Sequence, residues 1–159
     1  MIQVRNATTN DILSIQQVAH VTWHHAYEHS MRPDTRAQVL AEFYSEESLA
    51  RSLERKGAVF LVAEEQDRII GFLQALPRPR SGYEITRIYV LPQWQRKGVG
   101  SQLYAALAEQ LPTQPLWTLV QRDDQAAIAF FKKHGFGQQR ELELPVFGET
   151  LPFVELARQ

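Results

Sequence analysis

Over the first third of the chain, apolar residues recur at helical spacing. Ile12, Ile15, Ala19, Thr22 and Ala26 fall on one face of a helix predicted over "TTNDILSIQQVAHVTWHHAYEHS", with Thr9 or Asn10 as its N-cap. "RPDTRAQVLAEFYS" reads as a second helix with Pro33 in its first turn, and Ser45 caps a third, "EESLARSLER", that Gly57 ends. A short strand, "IQVRNA", precedes all three. The middle of the chain changes period. "AVFLVAEE" and "RIIGFLQAL" are β-like runs joined at Gln66-Asp67, a hairpin signal, and "PRPRSG" then reads as a loop. "YEITRIYVL" alternates as a strand that Pro92 closes. "GVGSQLYAALAEQL" follows as a helix with Val99, Leu103, Leu107 and Leu111 on one face. "LWTLV" is a strand, "DDQAAIAFFKKH" a helix stopped by Gly135, and "QQRELELPVFGETLPFVELA" a hairpin turning at Phe147-Gly148. This order predicts a single α+β (mixed α/β) domain over residues 1–159, with about seven strands, rather than a regular doubly wound sheet.

Composition adds exclusions. With 44% hydrophobic and 22% charged residues, the chain is an ordinary globular one. No apolar run approaches membrane-spanning length and the N-terminus lacks an apolar signal region, so the expectation is a cytoplasmic protein without a membrane partner. Seventeen Lys and Arg against eighteen Asp and Glu give a net charge of −1, which argues against a nucleic-acid partner. There is no cysteine, which removes disulfides, cysteine metal sites and a cysteine-bound acyl intermediate.

The densest chemistry lies in "LPQWQRKGVGSQLY", where a strand gives way to a helix. The dinucleotide fingerprint fails because Leu103 stands where its third glycine belongs, and the P-loop pattern is absent. What remains is Gln95-Arg96-Lys97-Gly98-Val99-Gly100-Ser101. Glycines let backbone N–H groups approach an anion, a helix start presents unpaired N–H groups and a positive dipole end, and Arg96 and Lys97 add charge. These features suit a pyrophosphate. The plainer reading, two glycines easing a tight turn with the cations in solvent, stands beside it.

"QRKGVG" resembles the Q/R-x-x-G-x-G/A signature of the GNAT N-acetyltransferase superfamily. It lies after the strand "EITRIYV" and at a helix start, and "DDQAAIAFFKKHGF" resembles the later helix of that family with its closing Gly135-Phe136. "TWHHAY" and the proline-led second helix resemble the bacterial branch that includes spermidine-type acetyltransferases. The resemblance covers nearly the whole chain. It implies a mostly antiparallel sheet that splays into a V between the fourth and fifth strands. It also implies acetyl-CoA as donor, a primary amine as acceptor (polyamine-like, with a protein amine as alternative), and a monomer or homodimer. The same resemblance implies that Gln95 to Ser101 hold the pyrophosphate through backbone N–H groups. Ile88, Tyr89 and Val90 then pair with the pantetheine arm, and the Val90 N–H is the oxyanion donor.

An ammonium must lose a proton before it attacks a thioester, so a base is wanted. Glu84, eleven residues before Gln95, has the spacing of the catalytic glutamate in histone-type members. Strand alternation places it with Thr86, Ile88 and Val90, where burial raises a carboxylate's pKa; the alternative is a carboxylate paired with Arg87 or Arg80. Phe131 stands where the family often has a proton-donating tyrosine. Asp124 stands where many members have an asparagine that bonds the pantetheine. Tyr89, Tyr104 and His134 are substitutes for the missing acid. Trp23 and Tyr27 read as core aromatics or as walls of an amine pocket through cation–π contact. His20/His24 and His25/His29 have i,i+4 metal-ligand spacing but flank the apolar stripe on opposite sides without a third ligand, so no metal is expected. A catalytically silent acyl-CoA-binding module is the rival reading, with Phe131 its best argument.

Overall fold

The computed structural model describes residues 1–159. Its seven strands form one sheet in the order β1-β2-β3-β4-β5-β7-β6. β1 (Ile2–Asn6), β2 (Val59–Glu65), β3 (Arg68–Arg78) and β4 (Gly82–Val90) are antiparallel neighbours. β5 (Leu116–Gln121) lies parallel to β4, and β6 (Gly137–Val146) and β7 (Glu149–Arg158) add an antiparallel hairpin inserted through β7. The helices are α1 (Ile12–Tyr27), α2 (Pro33–Phe43), α3 (Glu46–Glu54), α4 (Val99–Gln110) and α5 (Gln125–Lys133). This is the mixed α/β architecture that the patterning predicts, with the mostly antiparallel sheet that the resemblance implies.

Three local expectations change. α1 is not capped by Thr9 or Asn10. Thr8 opens a 3-10 turn at Thr9–Asp11, and the Asp11 carboxylate accepts the Thr8 N–H at 2.8 Å. Asp11 also accepts two hydrogen bonds from Arg5, both 2.9 Å, and Arg5 reaches Glu64 at 3.1 Å. One guanidinium thus joins β1, β2 and the entry to α1, and it holds the Asp11 carboxyl below the usual carboxylate range. At the other end of α1 the buried face moves from Ala26, which is exposed, to Tyr27. Finally, Pro77 and Arg78 belong to β3 rather than to a loop, leaving a short turn before Gly82.

The two sheet faces carry different helices. On β3, a Cβ at Gly71 would meet Val90 and the Leu103 side chain of α4, while Phe72 meets Tyr44, at the end of α2. Gly71, Leu73 and Ala75 therefore face α4, and Phe72, Gln74 and Leu76 face α1–α3. The core gathers on both faces, with Leu73, Ile85, Leu103 and Leu107 among its fully buried members on the α4 side.

A bulge in β4 overturns a sequence expectation. Gln74 pairs with Arg87 but Ala75 pairs with Ile85, so Thr86 is an extra residue. Alternation changes phase there. Glu84 pairs with Leu76, and so shares the α1–α3 face with Arg87 and Tyr89 instead of the opposite face with Ile88 and Val90.

β4 and β5 pair over three positions only, Tyr83–Ile85 with Leu116–Thr118. Beyond Ile85 they part, giving the V expected from the resemblance. The closed end is pinned by close backbone approach: the Tyr83 N–H donates to Pro115 O at 2.9 Å. Gly82 has φ +92°, and a Cβ there would lie 2.0 Å from Pro115 O. Gly82→Ala is therefore expected to lower unfolding free energy by about 2 kcal/mol or more, from the left-handed backbone plus the clash. Gly137→Ala, at an ordinary φ with no neighbour to its Cβ, should stay within about 0.5 kcal/mol. Urea unfolding midpoints of the two variants check this, and equal midpoints would contradict it.

Candidate functional site

A cleft of about 1780 Å³ opens where β4 and β5 part. One stretch is walled by the loop before α4, by α4 itself and by α5; the other by α1–α3 and the β6–β7 hairpin. The two stretches meet at Tyr89 and Val90.

The loop presents backbone donors. Gln95 N–H donates to Pro92 O, and the next donor used is that of Gln102, to Gly98 O at 3.0 Å. Between them, six consecutive N–H groups, Arg96 to Ser101, have no protein acceptor. Gly98 has φ +83° and a Cβ there would meet nothing within 4 Å. An anion thus has an open approach to a helix N-terminus with its N–H groups free. The run of free N–H groups begins at Arg96; Gln95 spends its N–H on Pro92 O, and its side chain donates to Val90 O at 3.0 Å.

That bond fixes the edge of β4. Leu91 N–H donates to Ile70 O on β3, so alternation turns the N–H and C=O of Val90, and those of Ile88, toward the gap. With Val90 O taken by Gln95, the Val90 N–H is left as a donor into the cleft.

Ile88, Tyr89, Val90, Gln95, Arg96, Gly98, Gly100, Ser101, Asp124 and Phe131 all line the cleft, so the structure gathers most of the residues singled out from sequence. The Lys97 and Val99 side chains do not. Lys97 Nζ sits 5.2 Å from the centre of the Trp94 ring, and Val99 is buried in the core. Gly100 also has a different reason for being glycine: a Cβ would stand 3.2 Å from the Phe130 ring, so its bare backbone lets α5 pack against α4. Asp124 caps α5, accepting the Ala127 N–H at 3.1 Å. Phe131 packs against Phe130 and Phe136 in the core. Ser101 Oγ meets His134 Nε2 at 3.1 Å, and burial with Lys133 and Arg158 nearby lowers the His134 pKa.

Across the cleft, Trp23 stacks edge-on with Tyr27 at 4.6 Å and lies 5.8 Å from Tyr89. The Tyr27 and Tyr89 hydroxyls bond at 3.0 Å. Burial raises both phenols well above their ordinary value, with Asp124 adding to it, so neither ionises near neutral pH. Trp23 and Tyr27 are thus at once packed aromatics and cleft walls. His24 and His29 both reach Glu28, at 3.1 and 3.0 Å.

Glu84 is not among the residues that line the cleft, although its strand partner Leu76 and its chain neighbour Ile85 are. It is half-buried. Burial raises its pKa, the Arg78 charge works against that, and Glu155 adds to it. Its expected partners were Arg87 or Arg80; the cation that acts on it is Arg78, which binds Glu155 at 3.3 Å and covers the Trp117 ring at 3.9 Å.

Arg51, Arg55, Arg87 and Tyr44 line the α1–α3 stretch and were not singled out from sequence. Arg51 and Arg55, one turn apart in "LARSLER", were a legible signal. Arg87 was not, because alternation places it opposite Ile88 and Val90 without saying that α2 and α3 cover that face.

Comparison with known proteins gives the same picture. Residues 16–136 match the acetyltransferase (GNAT) family. The chain is 28% identical over 118 residues to the peptidyl-lysine N-acetyltransferase YjaB of Escherichia coli strain K12, covering 74% of this chain and 76% of that one. It is 23% identical over 142 residues to the spermidine N(1)-acetyltransferase of Thermoplasma acidophilum, covering 85% and 88%. Among solved structures, the PaiA N-acetyltransferase of T. acidophilum in complex with coenzyme A has a TM-score of 0.84 at 21% identity over 98% of each chain, a likeness of fold.

The Gly100–Phe130 contact yields a stability test. Gly100→Val is expected to cost about 1–3 kcal/mol by overpacking. Phe130→Leu should recover part of that in the double variant, with a coupling of at least about 0.5 kcal/mol in a double-mutant cycle of urea unfolding. Strict additivity would mean that Gly100 serves something other than this contact.

Proposed function

The chain belongs to the acetyltransferase (GNAT) family, and from that premise we propose that it transfers the acetyl group of acetyl-CoA directly to a primary amine in a ternary complex. The observation that carries this reading is the run of six unpaired N–H groups, Arg96 to Ser101, beside the parted edges of β4 and β5. The donor set fits the coenzyme. Backbone N–H groups and the Arg96 cation suit a pyrophosphate, and the open Ile88–Val90 edge suits the amides of a pantetheine arm. Asp124, occupied as a helix cap, keeps one carboxylate oxygen as an acceptor for an amide N–H.

Acetyl-CoA supplies a thioester, whose carbonyl carbon bonds the amine nitrogen while its C–S bond breaks and the coenzyme leaves as a thiol. The chain's own part is positioning and proton handling. The Val90 N–H faces the gap and donates to the carbonyl oxygen as charge develops there. Glu84, roughly 20 Å from Val90 along the strand, takes the proton released by the amine through intervening waters. Its raised pKa brings it toward the operating range of a general base. The bulge at Thr86 serves this assignment, because it turns Glu84 to the face of α1–α3, where the acceptor enters, and leaves Val90 at the donor edge. Phe131 gives no proton, so the sulfur leaves as a thiolate and is protonated by water. Trp23 and Tyr27 wall the acceptor path.

The acceptor has two supported forms. Likeness to a spermidine N(1)-acetyltransferase favours a polyamine-like small molecule, and likeness to a peptidyl-lysine N-acetyltransferase favours a protein amine. Thiol release from acetyl-CoA with polyamines and lysine peptides separates them. No release with any amine, while acetyl-CoA still binds, favours a silent acyl-CoA-binding module.

Glu84→Gln is expected to lower kcat by about 10²–10⁴-fold while acetyl-CoA affinity by calorimetry stays within about twofold. Because the active form is the carboxylate and its pKa is raised, wild-type rate should fall as pH drops through a value above the ordinary ~4.3. The variant should lack that limb. An unchanged profile would remove Glu84 from the mechanism.

A further inference from the structure

The α1–α3 stretch of the cleft carries an unbalanced charge. Arg51, Arg55 and Arg87 line it, against Glu54. None of the three arginines makes an ion pair, whereas Arg78 on the same sheet face is paired with Glu155. Arg87 is half-buried on β4. Its Nη2 donates to Phe43 O at 2.7 Å and its Nη1 to Ser52 Oγ at 3.3 Å, both neutral acceptors, and its guanidinium lies 4.5 Å from the Tyr44 ring centre. Those contacts orient the cation without neutralising it. Arg51 gives one bond to Ser48 Oγ at 3.2 Å, and Arg55 is exposed. Arg51 is exposed as well, and Arg55 follows the last turn of α3, so both heads are free to meet an anion in the cleft.

These cations are not placed for the phosphates of the coenzyme. The loop from Arg96 to Ser101 leads into α4 on one face of the sheet, while Arg87 shares its face with Gln74 and Tyr89 and reaches α2 and α3 on the other. Arg87 is three residues from Val90, roughly 10 Å along the strand. An anion there lies on the acceptor side of the thioester, at the distance spanned by a small molecule.

We infer that the acceptor amine carries an anionic group, a carboxylate or a phosphate, and that Arg87, supported by Arg51 and Arg55, binds it. Guanidinium forks suit either anion, and the same charges disfavour a polycation in this stretch. The inference rests on the amine-acetylating reading and specifies its acceptor.

The test uses amines with and without an anionic group. Acetyl-CoA thiol release is followed with a dipeptide and its C-terminal amide, with phosphoethanolamine and ethanolamine, and with spermidine. The expected result is a kcat/KM at least about tenfold higher for the anionic member of one pair, as a charge-assisted contact gives. Which pair responds tells carboxylate from phosphate. Arg87→Gln should bring that ratio toward one. Arg55→Gln, at an exposed position, should lower it severalfold and serves if Arg87→Gln fails to fold. Neutral amines or spermidine equal to or better than the acids would overturn the inference and leave amine acetylation standing, as would a preference that survives every arginine variant. Consumption of no amine, with acetyl-CoA bound, would overturn the amine reading and the inference with it.

Discussion

The structure depends on how β4 is held: clamped to β5 at one end and released from it at the other. Parallel pairing covers three residues, fixed by the close approach of Gly82 and Tyr83 to Pro115. A sheet in which β4 and β5 stayed paired throughout would have spent the Ile88 and Val90 N–H groups on β5, and the cleft would not exist. Because they part, the middle of the sheet has an interior edge, flanked by α5 on one side and the α1–α3 aromatics on the other. Free backbone donors in a folded core are costly unless water or a ligand meets them. Here they lie in an open cleft and continue into the free N–H groups at the start of α4.

The bulge at Thr86 adds a second constraint. One inserted residue brings Glu84 onto the face that Arg87 and Tyr89 already occupy by alternation. Val90 and Ile88 pack toward α4 and leave their backbone at the gap, whereas Glu84, Arg87 and Tyr89 address α1–α3. Through its bond to Tyr27 and its place among Trp23, Tyr44 and Phe72, Tyr89 anchors α1 over the sheet.

The glycine loop shows how one motif mixes roles. Gly98 takes a left-handed backbone and leaves open space, as an anion cradle requires. Gly100 makes room for Phe130 and so sets how closely α5 approaches α4. Lys97 and Val99 contribute backbone, with their side chains turned to Trp94 and to the core. The charge of the loop therefore rests on Arg96, the helix end and the N–H groups together.

Much of this was legible in the sequence. Helical and two-residue periods, the Gln66-Asp67 turn, Ser45 as a cap and the glycine loop are local signals, so they determined the elements, their order and the place of the glycine loop at the start of α4. Most of the residues singled out around "IYV" and "QRKGVGS" line the cleft for the same reason. The caps of α1, the extension of β3 and the face of Glu84 were not legible, because each is decided by a partner distant in sequence. Arg5 and Glu64 settle Asp11, pairing with β4 keeps Pro77 and Arg78 in a strand, and register against β3 creates the bulge. The unpaired arginines belong to this second group as well. A cation's charge is written in the sequence, but whether a carboxylate meets it depends on which surfaces the fold brings together.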